Sequence, residues 1–294
     1  MSETWWLRLA RAQRYVEELQ NALAQFAARA AFRARRLDQG DGQGVCRFAL
    51  EITGQPEPMS TLLASETVRA VRASLDDVLR AMRPWRHRDG PGFPLLLEDP
   101  WEADGCGRLL AARIEARRQF DAAAAGLTCQ ATAAVRDLQP YRGLKSGAAP
   151  GLHPLLLLAR LEGAERRRQF RLACIGLTNV ETAVLVRGER AQFRRVRPTS
   201  ALMPGLVPDG AEIIRLACTA VPVLEDSDVE AVVHVTPAVV MAVDAADGGW
   251  VGLNQLTELV RRVQSEVVAV LDRYVGVTQR FPPRGPVPRP GTGV

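Results

Sequence analysis

One short stretch constrains this chain more than any other. In residues 45–53, Cys46, Phe48, Leu50 and Ile52 fall on one side and Arg47, Ala49, Glu51 and Thr53 on the other, the pattern of a half-buried strand. The sequence around it reads as helix or loop, and β texture returns only after residue 173. A single strand is not stable in water. Its partners therefore have to come from the far side of the chain, which must fold back on itself. The expected class is α+β, with a helical bundle packed beside an antiparallel sheet of about five strands. The expected organisation is one interleaved domain over 1–280, followed by a disordered Pro-rich tail over 281–294.

Helical spacing supplies the bundle. Leu9, Ala12, Val16, Leu19, Leu23, Phe26 and Ala30 alternate steps of three and four, so the first forty residues read as one long helix. It stops before the glycines at 40, 42 and 44, a loop signal. A second long helix is expected over 60–83, with Val68, Val71, Leu75, Val78 and Met82 on its core stripe and Pro84 closing it. Residues 84–104 look irregular. Further helices are expected over 106–125, 128–138 and 153–173. Strands are expected over 180–187, 191–197, 212–221 and 230–243. A long C-terminal helix follows, with Leu256, Val260, Val263, Val267, Val270 and Tyr274 on its seam.

Composition narrows the chemistry. With 47% hydrophobic and 24% charged residues in 294, the chain matches ordinary globular proteins and needs no covalent staple. The longest apolar stretch, residues 229–243, contains Glu230, His234, Thr236 and Pro237, so no membrane span is expected. The first residues carry an acid and no basic run, which does not read as a signal peptide. Five scattered cysteines are never spaced as a pair, which fits a reducing, cytoplasmic setting. The three histidines, His87, His153 and His234, leave little material for imidazole or metal chemistry. No metal and no cofactor are expected.

The net charge is +5, and Lys145 is the only lysine among 38 basic residues, a bias that reads as a GC-rich genome. Arginines crowd residues 151–200, whereas acids dominate 201–254. The molecule should be dipolar, with Arg190, Arg194, Arg195 and Arg197 as a secondary basic patch. That patch reads as a solvated edge strand or as a phosphate grip.

The second helix carries the most informative polar face: Glu66, Arg69, Arg72, Asp76, Arg80 and Arg83. Asp76 stands four residues from both Arg72 and Arg80, which puts it beside them on a helix. The face is either a solvated ladder of ion pairs or an Arg–carboxylate pocket. In the run Glu165-Arg166-Arg167-Arg168 three adjacent arginines cover most of a helix circumference. One of them is therefore expected to turn inward, toward a carboxylate such as Asp76 or Glu66.

Several of these segments resemble a large bacterial family of uncharacterised proteins. The resemblance rests on the helix from Leu63 through Glu66, Arg69, Arg72 and Asp76 to Asp77, then Phe93-Pro94-Leu95, Leu138-Gln139-Pro140-Tyr141 and Pro154-Leu155. It continues through the run 165–168 and residues 207–211. The family helix is similar to the Arg/His signature of HEPN domains, helical bundles of which many are metal-independent ribonucleases. The resemblance implies an Arg that holds phosphate and a His that acts as general acid–base. Here Arg72 matches the arginine, but Asp77 stands at the histidine position, and Arg167 replaces the histidine of the later motif. An aspartate is a poor general acid near neutral pH. The resemblance therefore implies a degenerate, non-catalytic member, with Glu66, Arg72, Asp76, Glu165, Arg166 and Arg168 as a binding site or polar network.

The expected function is binding, with RNA or another protein as partner and no catalytic residue. Two alternatives stand beside it. One is a ribonuclease with a non-standard site, Arg72 acting with Asp77 or with His87. The other is a structural subunit whose terminal helices offer their seams to a partner or to a second copy in a homo-oligomer.

Overall fold

The N-terminal helix follows its apolar spacing. α1, Thr4–Ala28, buries Leu9, Ala12, Val16, Leu19, Leu23 and Phe26, together with Trp5. It is shorter than its composition suggests, because the chain turns after Ala28 into β1, Phe32–Arg36. Arg and Ala favour helix locally, yet β1 pairs antiparallel with β2, Val45–Ile52, from Phe32 opposite Ile52 to Arg36 opposite Phe48. Tertiary pairing outweighs local preference here. Across the ladder Arg33 Nε donates to Glu51 at 2.8 Å, and that bond holds the Glu51 carboxyl below its usual pKa.

The computed structural model describes residues 4–29, 32–37, 45–102, 111–145, 153–167, 171–186, 193–196, 207–208, 210–218, 229–244 and 249–275. The glycine loop at 40–44, Ala30 and the Pro-rich tail lie outside them. The remaining elements are α2, Pro58–Met82; α3, Ala111–Ala124; α4, Cys129–Asp137; α5, Pro140–Lys145; and α6, Pro154–Arg166. Six strands follow: β3, Arg171–Val186; β4, Phe193–Val196; β5, Val207–Pro208; β6, Glu212–Cys218; β7, Val229–Asp244; and β8, Gly249–Gly252. The C-terminal helix is α7, Leu253–Arg262, then a π-helical turn over Val263–Val268, then α8, Ala269–Asp272.

The fold is α+β. In place of one sheet of about five strands, the described residues form two antiparallel sheets of four, ordered β1-β2-β6-β4 and β5-β3-β7-β8. The extra strands have physical reasons for being illegible. β5 and β8 are short and carry Pro or Gly, and β3 starts in the apolar run from Arg171 that reads equally well as the end of a helix. As expected, β2 finds a partner far along the chain, in β6. It is more deeply buried than a half-buried strand, since Phe48, Ala49 and Leu50 are all inside. A register shift between Phe48 and Ala49 is the local bulge that accommodates this. Beyond it Gly210, at φ +76, donates its N–H to the Leu50 carbonyl at 2.8 Å, a left-handed position that glycine tolerates. β3 is irregular near Cys174. There the Gln55 side-chain amide accepts from the Cys174 N–H at 2.9 Å and donates to its carbonyl at 3.4 Å, replacing the lost ladder bonds.

The helices bury wide stripes. α2 covers Ala64, Val68, Val71, Leu75, Val78, Leu79 and Met82, and α6 covers Leu155, Leu158, Leu161 and Ala164. Each such Leu or Val contributes about 1.5–3 kcal/mol of burial. In the C-terminal helix the expected seam holds through Val267 and then slips. Val267, Val268 and Leu271 are buried, whereas Val270 and Tyr274 are only half-buried. The π turn bonds over five residues instead of four and so advances the stripe by one position.

Two compact units result, each made of separated segments: Met1–Tyr15, Ser65–Arg166 and Leu256–Val294 in one, Val16–Ala64 and Arg167–Gln255 in the other. The described part of the first is helical, and the second holds both sheets. Among the described residues no helix is long and apolar enough to cross a membrane.

Candidate functional site: a cleft against the polar face of α2

The polar face of α2 divides into three settings within the helical unit. On one flank Asp77, only 7% exposed, accepts from Arg8 Nε at 2.5 Å and from Arg80 Nη1 at 2.7 Å. Just past the C-terminal end Arg83, 1% exposed, meets no carboxylate among the described residues. Its Nε and Nη2 donate to the Ala123 carbonyl at 3.1 and 2.5 Å, and Nη2 also donates to the Pro91 carbonyl at 2.6 Å. Burial first, then the charge of Arg80, lowers its pKa, and Asp76 opposes this. Backbone carbonyls supply the acceptors that a buried guanidinium requires.

The third setting faces α6. Arg69 Nε donates to Glu165 at 2.5 Å and its Nη1 donates to Glu66 at 2.9 Å. Ser65 Oγ also donates to Glu165, at 2.6 Å. The Glu165 charge and then its hydrogen bond raise the Arg69 pKa. One turn on, Arg72 Nη2 lies 3.4 Å from Asp76 Oδ1, and its Nε lies 3.9 Å from Glu162 Oε1. Glu162 Oε1 accepts from Arg166 Nη2 at 2.5 Å. Asp76 Oδ1 in turn accepts the Phe93 N–H at 2.7 Å. That bond requires Gly92, because a Cβ there would stand 2.7 Å from Asp76 Cγ.

Between α2, the segment 91–97, α3 and α6 opens a cleft of about 710 Å³. It is lined by Arg72 of α2, Glu162 and Arg166 of α6, and Glu115, Arg118 and Gln119 of α3, with Phe93, Pro94, Leu95 and Leu97 as its apolar part. Small residues, Ala122, Ala159 and Gly163, keep the space open. Its size is that of a ligand site.

The expected residues are thus partly gathered. Glu66, Arg72, Asp76, Glu165 and Arg166 share one neighbourhood of α2 and α6, and Arg72 and Arg166 reach the cleft. The pairing runs opposite to expectation: α2 supplies the arginines and α6 the carboxylates, while Arg166 pairs on its own helix and is exposed. Arg167 is exposed in the turn after α6, and Arg168 lies outside the described residues. Of the basic patch, Arg190 and Arg197 lie outside them too. Arg194 and Arg195 sit on β4, at the edge of its sheet, opposite Ala217 and Leu216. His87 is exposed on a one-turn 3₁₀ helix, Trp85–His87. Its ring lies over Gly126, whose φ of +81 and close approach both exclude a side chain. Glu162 and the α3 residues Glu115, Arg118 and Gln119 are absent from the sequence reading. The i,i+4 spacing of Glu162 and Arg166 was the available signal for the first. No periodic signal marks the others.

The chain matches no protein-family model, no curated protein and no solved structure.

Proposed function

We propose that this chain is a non-catalytic binding protein, a degenerate relative of the HEPN-like family, working in the cytoplasm through the α2–α3–α6 cleft. The observation that carries the reading is the surroundings of Arg72. Its guanidinium stands between Asp76 and Glu162, and Asp77, at the position of the family's histidine, is taken by Arg8 and Arg80 on another flank. With Oδ2 accepting from Arg8 and Oδ1 from Arg80, the Asp77 carboxylate is engaged away from Arg72. His87 sits on the short helix beyond Pro84, against Gly126.

A protein is favoured over RNA as the partner. Each cleft arginine has a carboxylate within 4.0 Å, and a polyanion would have to displace those carboxylates before gaining phosphate contacts. The test is retention of an RNA pool on the immobilised chain across a salt series, with Arg72→Ala alongside. The reading expects weak retention that Arg72→Ala leaves unchanged. Strong, salt-sensitive retention lost in the variant would make RNA the partner.

A further inference from the structure

The hydrogen-bonding capacity left over in the cleft defines what it would take. Arg69, Arg80, Arg83 and Arg166 all close bonds of 2.5–2.9 Å. Arg72, 22% exposed, has its nearest acceptors at 3.4 and 3.9 Å, beyond the roughly 2.7–2.9 Å of a closed charge-assisted bond. Both contacts to Glu162 fall on Oε1, which leaves Oε2 to accept. The cleft therefore presents one donor group and one acceptor group close together. Charge adds a second restriction. Arg72, Arg118 and Arg166 are balanced by Asp76, Glu115 and Glu162, so an added anion or cation upsets the balance and a neutral group does not.

A peptide group is neutral and carries both an acceptor and a donor. We propose that the cleft binds an extended, uncharged segment of a partner polypeptide, one of whose peptide groups accepts from Arg72 and donates to Glu162. The helix itself gives a precedent, since Arg83 holds the carbonyls of Ala123 and Pro91. The apolar wall suits flanking side chains: Leu97 is 48% exposed, while the Phe93 and Leu96 N–H groups are fixed inward on Asp76 and Gln139. This deepens the binding reading above and rests on it.

The test uses the immobilised full chain and four fluorescein-labelled pools: short peptides randomised over uncharged residues, the same with two Glu, the same with two Arg, and short RNA. Retention of the uncharged peptides above the other pools is expected. It should fall about tenfold in Arg72→Ala, equivalent to about 1.4 kcal/mol, and as much in Ala122→Trp. Ala122 is exposed and lines the cleft, so the indole fills the space without entering the core. Retention in either variant equal to that of the native chain, preference for a charged pool, or no retention of the uncharged pool would overturn the proposal. Cleavage of the RNA pool by the native chain would instead overturn the binding-protein reading beneath it.

Discussion

Asp77 on α2 and Arg83 just after its end are buried charged side chains, and each shows how a charge is kept inside. Arg83→Met removes the donors to Ala123 and Pro91 and is expected to destabilise the chain by about 2–3 kcal/mol, read as a fall in the urea midpoint. Asp77→Ala removes the acceptor of Arg8 and Arg80, which are half exposed and pass to water, and should cost about 1 kcal/mol or less, read by the same urea midpoint. His153 gives a pH signature. Burial, then Arg262, lowers its pKa, against Glu266, and its buried Nδ1 has no hydrogen-bond partner among the described residues. A histidine whose folded pKa is depressed gives stability that is complete above its unfolded value, about 6.5, and lost as pH falls through the folded value. Unfolding at pH 7 and pH 5 should therefore show a smaller acid loss in His153→Gln than in the native chain. An equal loss would place the acid sensitivity elsewhere. Spacing alone puts Arg83 on the polar face of α2. It does not reveal that two carbonyls from other segments come to meet it, because those contacts exist only after the chain has folded.

At the scale of elements, the C-terminal helix separates what periodicity can say from what it cannot. The seam is legible as far as Val267. The π turn then moves burial from Val270 to Leu271, which is fully buried. Leu271→Ala is expected to cost about 2–4 kcal/mol and Val270→Ala less than about 1 kcal/mol, by thermal melting of the two variants. The reverse order would restore a regular helix. Such a shift has no mark in the sequence, since valines occupy both candidate stripes. The ends of the strands were hidden for a related reason. Residues 32–36 and 171–173 carry helix-forming Arg, Ala and Leu, and only pairing with β2 and β7 makes them strands. β2 itself was legible because its alternation is long enough to exclude a helix, and its isolation then required the long-range pairing with β6.

At the scale of the whole molecule, both units are built from segments far apart in sequence. Removing the chain after residue 252 takes away seven buried side chains, from Leu256 to Leu271, and the remaining chain should lose the cooperative unfolding of its helical unit, read by circular dichroism. The polar face of α2 was legible as a candidate, but the α3 part of the cleft was not, because only the fold brings Glu115 and Arg118 to the same cleft as Arg72. The account as a whole turns on whether that cleft and that arginine bind or cut. The most direct measurement incubates the purified native chain and Arg72→Ala with an end-labelled RNA pool and resolves the products on one denaturing gel. The account predicts intact RNA in both lanes. Shortened products in the native lane that disappear with Arg72→Ala would contradict it and make the chain a ribonuclease with a non-standard site.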